Sequence, residues 1–287
     1  MEDIHMIKFL ILLPIISMLM IPQAHGQVSP EEAPPPPRDG FYERRAIHER
    51  GPIELPYIRE ADVLWSLRVW QRIDLRERMN QVLYFPENPS GDYKSLMQVL
   101  KEAILAGEIR AYGVDDDSFQ GEPLDPETVF ENLAEQLTFT VEGEEVTQMI
   151  PFSTTDVYIF RIKEEWFIDK RRGQLDVRII GISPAMLFRD EQTGELTNIQ
   201  EPLFWIPFEE ARPILAGAPI YNVHNSSQLM SFDDIFIRRF FNATIYREDR
   251  PDNRVISEYI EDPIERLLEA ERIKERIRNM ELDLWHY

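Results

Sequence analysis

Gly181-Ile182-Ser183-Pro184-Ala185 is the closest approach in this chain to a hydrolase nucleophile, which would place a serine on a G-x-S-x-G turn after a strand. It departs from that pattern twice. Ala185 replaces the last glycine, and Pro184 lacks the backbone N–H that would build an oxyanion hole. Ser183 is therefore expected to end a strand rather than attack a substrate. Asp115-Asp116-Asp117 could open a calcium loop, but Phe119, Gln120 and Pro126 occupy the places of a ligand, the obligatory glycine and the bidentate acid. Downstream of the leader, His48, His224 and His286 lie far apart without zinc-ligand spacing. Glu164 and Glu165 are adjacent on an expected strand and so point to opposite faces, unlike a catalytic carboxylate pair. No phosphate-cradling glycine loop is present. With 0 Cys there is no thiolate chemistry and no disulfide. Asn225-Ser226-Ser227 and Asn242-Ala243-Thr244 match glycosylation sequons, motifs short enough to arise by chance. No catalytic residue, metal or cofactor site is assigned, which turns attention to interaction.

The 287 residues are 43% hydrophobic and 29% charged, enough apolar content for a real core. Fifty-two acidic residues against 31 basic ones give a formal charge of −21, which speaks against nucleic acid or anionic lipid as a bulk electrostatic partner. Lys8 precedes the apolar run Phe9 to Ile21, and Ala24 and Gly26 provide small residues for cleavage. Residues 1–26 are thus expected to be a secretory signal peptide, with Met6 the expected initiator and Gln27 the mature start. The run is too short to span a bilayer, and no cysteine follows it to carry a lipid anchor.

Residues 27–57 hold Pro30, Pro34 to Pro37, Pro52 and Pro56 and should form an extended arm, as a spacer or as a strap on a neighbouring subunit. Residues 58–262 should form one α+β core domain with β-hairpins and packed helices, and residues 263–287 a C-terminal helix. Val63, Leu64, Leu67, Trp70 and Ile73 recur at three- and four-residue spacing, which predicts a helix from Glu60. Further helices are predicted after Asp92, closing at Gly107, after Asp125-Pro126, and after Ser231 with Asp234 in the capping-box position. Hairpins are predicted at 137–150 and at 156–182, the second fixed by the alternation of Leu175, Val177 and Ile179 with Asp176 and Arg178. Leu203 to Phe208 reads as a short aromatic strand. In the last helix Ile273, Ile277, Met280 and Leu284 make a stripe that faces either a partner or the protein's own core, the latter being the expected reading.

Residues 108–145 hold twelve Asp or Glu and one basic residue, Arg110. Such a block is a solvated face or a docking face for basic groups. Of the basic residues 25 are Arg, the side chain that grips carboxylates with two parallel hydrogen bonds. Candidate interface residues are Asp115, Asp116 and Asp117 in the acidic block, Arg171 and Arg172 in the second hairpin turn, and Trp285 near the end.

Several long strings then carry a resemblance. They are Trp65-Ser66-Leu67-Arg68-Val69-Trp70, Ile73-Asp74-Leu75-Arg76-Glu77-Arg78-Met79-Asn80, Trp166-Phe167-Ile168-Asp169-Lys170 and Asp176-Val177-Arg178-Ile179-Ile180-Gly181-Ile182. Phe204-Trp205, Ser231-Phe232-Asp233-Asp234-Ile235-Phe236, Glu271-Arg272-Ile273-Lys274-Glu275 and Asp283-Leu284-Trp285-His286-Tyr287 continue the series. From about residue 60 onward the chain resembles the GldN/PorN family of gliding-motility and type IX secretion proteins of Bacteroidetes. The resemblance implies a non-enzymatic periplasmic component without cofactors, held at the inner face of the outer membrane by a PorK/GldK-like lipoprotein. It further implies a ring with neighbouring copies and a contact to a PorM/GldM-like inner-membrane motor protein. An exported hydrolase or a monomeric periplasmic binding or chaperone-like module is the alternative.

Overall fold

In the computed structural model, which describes residues 50–133, 135–141, 144–189, 196–221 and 230–284, the predicted first helix is a strand. The chain divides into two compact units, residues 1–43 and 44–287, and every element described belongs to the second. Strand β1 (Val63–Asp74) lies between two others in an antiparallel sheet, and it carries buried side chains on both faces. Trp65, Leu67, Val69, Gln71 and Ile73 point one way, and Trp70 is buried on the other side. Apolar residues on both faces blur the two-residue alternation into a spacing that mimics a helix.

The order continues with α1 (Gln81–Tyr84), α2 (Leu96–Leu105), α3 (Pro126–Glu131), β2 (Glu135–Val141), β3 (Glu144–Ile150), β4 (Val157–Asp169), β5 (Gln174–Arg189) and β6 (Leu196–Pro202). It closes with β7 (Ile206–Pro207), α4 (Phe208–Gly217), α5 (Phe232–Ile237), β8 (Thr244–Glu248), α6 (Ile256–Tyr259) and α7 (Pro263–Leu284). The main sheet runs β6-β5-β4-β1-β8 with β7 on β5, while β2 and β3 pair only with each other. Both predicted hairpins are present, and the expected α+β class is borne out.

Local chemistry sets the element ends. Helix α2 starts three residues later than Asp92 suggests, because Ser95 and Gln98 form a reciprocal capping box. It stops where predicted: Gly107 has φ 72°, and the N–H groups of Gly107 and Glu108 bond back to Ile104 and Ala103. Asp125 and Pro126 open α3 as expected, and it ends at Glu131. Ser231 Oγ accepts from the Asp234 N–H at 3.3 Å while Asp234 Oδ2 accepts from the Ser231 N–H at 3.1 Å, so aspartate completes this second capping box. Ser231→Ala is expected to lower the unfolding free energy by about 1 kcal/mol, read as a lower urea midpoint at unchanged slope.

The core lies on the β1 face that carries Ile73, with Phe160 and Ile162 of β4 against Leu83, Leu100, Ile104, Phe208, Phe232 and Phe236 of the helices. Beside it, Val69 and Ile245 pack on Ala270, Ile273 and Ile277, so α7 docks on its own domain. The predicted strand at Leu203–Phe208 is reduced to Ile206–Pro207 and a bridge from Trp205 to Tyr112, since Phe208 already begins α4.

Candidate interaction site

On the opposite face of the sheet, the acidic segment folds down onto Trp70. Asp117 accepts the indole N–H of Trp70 at 2.8 Å and a guanidinium N–H of Arg247 at 2.8 Å. Lys163 Nζ donates to the backbone oxygen of Asp117 at 2.7 Å and to its carboxylate at 3.3 Å. The Arg247 guanidinium lies 3.5 Å from the Trp70 ring centroid, in cation–π contact. Burial of the Lys163 amine pushes its pKa below the ordinary lysine value, against the opposing pull of Asp117. Asp116 organises the same loop, accepting from Gly121 N at 2.8 Å, Gln120 N at 3.1 Å and Ser118 Oγ at 3.1 Å. Of the three candidate aspartates, Asp117 therefore fastens the loop to its own domain, Asp116 is spent within the loop, and Asp115 is exposed.

The β4–β5 turn divides its two candidate arginines in the same way. Arg172 donates to Asp169 at 2.7 Å and Asp176 at 2.8 Å. Arg171 is 60% exposed with Asp62 at 3.9 Å, and remains available to another molecule. Trp285 lies outside the described residues, as do the signal segment and residues 27–49 of the arm.

Two assemblies leave no trace in local sequence patterns because their members are distant in the chain. The first grips the root of the arm. Arg50 donates to both oxygens of Asp234, at 2.9 and 3.1 Å, and the Ile53 N–H donates to Asp233 at 2.9 Å. Arg212, buried in α4, bonds Asp233 at 3.0 Å and also donates to the Ile53 carbonyl. The extended stretch that follows lies over a groove of about 680 Å³ floored by Phe167 and Ile180, and Arg178 reaches Pro56 O at 3.4 Å. The end of the arm thus lies on its own domain. The second assembly surrounds Glu164, which is fully buried and accepts from Gln71 at 2.5 Å, Trp166 at 3.1 Å and Arg239 at 2.7 Å.

Ser183 is fully buried within β5 opposite Arg161, its hydroxyl 3.4 Å from the Pro184 carbonyl; the strand does not end there as expected but runs on to Arg189, because Pro184 to Met186 stay in the ladder with β4, so Ser183 is on no nucleophile turn. Among the described residues no group of three or more His, Cys, Asp or Glu could hold a metal ion, and no helix is long and apolar enough to cross a membrane. The geometry is that of a stiff sheet whose charged side chains are mostly consumed in holding loops, turn and arm root in place.

That arrangement has a pH signature. The backbone N–H of Gly121 holds the Asp116 carboxyl below its ordinary value, the Arg172 guanidinium does the same for Asp169, and Arg110 for Glu210. A lowered folded pKa contributes stability that is present above the unfolded value and lost as pH falls through the folded one. The urea midpoint is expected to hold from pH 7 to about 5 and to drop below about pH 4, where free carboxylates titrate. A midpoint that stays unchanged as the pH is taken below about 4 would contradict the assignment.

A family model described as "Gliding motility associated protein GldN" matches residues 58–286. No curated protein matches the chain. The matched span starts just ahead of β1 and covers the sheet, its helices and α7, in keeping with the resemblance carried by the long strings. The chain belongs to the GldN family of gliding motility associated proteins.

Proposed function

We propose that this protein is a non-enzymatic structural component of the gliding-motility and type IX secretion machinery. In this reading it works in the periplasm after removal of residues 1–26. There it forms a ring with neighbouring copies and a PorK/GldK-like outer-membrane lipoprotein, and it contacts a PorM/GldM-like inner-membrane motor protein. The observation that carries the reading is the family match over residues 58–286.

The physical features agree with a scaffold. A lipid-anchored partner would hold the protein at a membrane surface. Arg171 and Asp115 offer exposed charges from a rigid turn and a pinned loop, and interface contacts gain when such groups are held in place beforehand. The latch on Ile53 gives the described end of the arm a fixed seat on its own domain. Co-expression with the candidate lipoprotein, followed by size-exclusion chromatography and electron microscopy, tests the reading. Large annular assemblies containing both chains are expected, and a chain that elutes as a monomer beside the lipoprotein would contradict it.

A further inference from the structure

Most arginines of this acidic chain are ion-paired, among them Arg50, Arg68, Arg76, Arg172, Arg212 and Arg247. Among the described residues Arg72, Arg78, Arg161, Arg266 and Arg278 have no such partner, and three of them, Arg72, Arg161 and Arg266, line a single groove of about 580 Å³ between β8 and the first turns of α7. No described carboxylate lines that groove. Arg72 on β1 and Arg161 on β4 are direct cross-strand partners, a placement of like charges that destabilises a sheet unless something neutralises it. All three side chains are half-buried, where solvent screens the repulsion less well.

Their hydrogen bonds go to neutral groups. Arg161 donates to Gln200 O at 3.0 Å and lies over the Tyr246 ring, while Arg266 donates to Ile260 O at 2.7 Å and Glu261 O at 2.9 Å. Asp74, two residues beyond Arg72, is held by Arg76 at 2.6 Å. Beside the groove α7 exposes Ile264, Leu267 and Leu268, at 68%, 51% and 53%. Guanidinium groups outside any ion pair, next to an aliphatic shelf, are the chemistry of a protein contact.

The complementary surface is on the same chain. In the acidic segment Asp115, Glu122, Asp125 and Glu127 are exposed and bind no cation among the described residues, and they flank exposed Val114 (43%) and Leu124 (38%). We propose that the Arg72–Arg161–Arg266 groove receives the acidic segment of a second copy of this chain. The proposal rests on the reading that the protein assembles with neighbouring copies, and it assigns that contact to two surfaces. Carboxylates of one copy insert among the guanidinium groups of the next, and Val114 and Leu124 meet the α7 shelf.

Sedimentation velocity on the mature chain and two variants tests this. Arg72→Glu destroys the groove while placing a carboxylate opposite Arg161, so folding is expected to be preserved, with an unchanged far-UV circular dichroism spectrum. The second variant, Asp115→Lys with Glu122→Lys, destroys the acidic face on an exposed loop. The unaltered chain should self-associate with rising concentration, each variant alone should do so roughly tenfold more weakly or not at all, and mixing the variants should restore a complex, since each retains the half the other lacks. An unaltered chain that stays monomeric, a variant that associates as the unaltered chain does, or a mixture that stays monomeric would overturn the proposal. Failure of the family function would instead appear as normal cargo delivery without the protein, so the two failures are separable.

Discussion

Replacing Glu164 with alanine is expected to lower the unfolding free energy by about 3–5 kcal/mol, because it strips the counter-charge and hydrogen-bond acceptor from a buried network. Glu164 is 0% exposed and holds Gln71, Trp166 and Arg239 together. Arg239 stands in the left-handed region, at φ 56°, with its guanidinium 5.0 Å from the Trp166 ring and 5.1 Å from the Phe241 ring. A non-glycine residue persists there only when its surroundings over-determine it, and the salt bridge with two aromatic contacts does so. Glu164→Gln keeps the volume and loses the charge, so it should fall between the alanine variant and the unaltered protein. Equilibrium urea unfolding measures both. A loss for Glu164→Ala under about 1 kcal/mol, the range of solvent-screened pairs, would show that the network is not the keystone described.

Trp70→Ala is expected to cost a similar amount, about 3–5 kcal/mol, for a different reason. The indole is 4% exposed and packs with Tyr112 and Trp205. Its N–H also satisfies Asp117, and its face carries Arg247. Truncation opens a cavity and removes one of the loop's anchors, leaving those from Lys163, Arg247 and the Trp205 indole N–H on Val114 O. Trp70→Phe retains most of the packing but not the donor, and should cost about 1.5–3 kcal/mol, the worth of a hydrogen bond to a charged group. Hydrogen exchange should show the 113–121 loop opening in both variants, faster in the alanine one. Equal stability of Trp70→Phe and the unaltered protein would mean that the bond to Asp117 contributes nothing.

What is legible in the sequence depends on whether the deciding interaction is local. The β4–β5 hairpin can be read because Leu175, Val177 and Ile179 alternate strictly with polar neighbours, and Gly107 and Ser231 announce helix ends through groups within four residues of themselves. β1 passes for a helix because it buries Val69 and Ile73 on one face and Trp70 on the other. α4 carries Pro213 inside it and β8 has only five residues, so neither shows a clean period. The contact from Ile53 to Asp233 spans 180 positions, and Glu164 meets Arg239 across 75, separations at which no spacing rule operates. The candidate residues show the same divide. Composition identifies an acidic block and an arginine excess, but not that Asp117 and Arg172 are consumed within the chain while Asp115 and Arg171 face outward. The family is legible because long ordered strings survive without any knowledge of the contacts they make.

The most direct test of the central claim is cargo delivery in the parent bacterium lacking this chain. A machine part that acts by contact predicts that type IX cargo fails to reach the cell surface and spreading stops. It also predicts that the unaltered chain and Ser183→Ala, which leaves no hydroxyl to react, restore both functions equally. Normal surface delivery in the deletion strain would contradict the account, as would rescue by the unaltered chain but not by a stably folded Ser183→Ala.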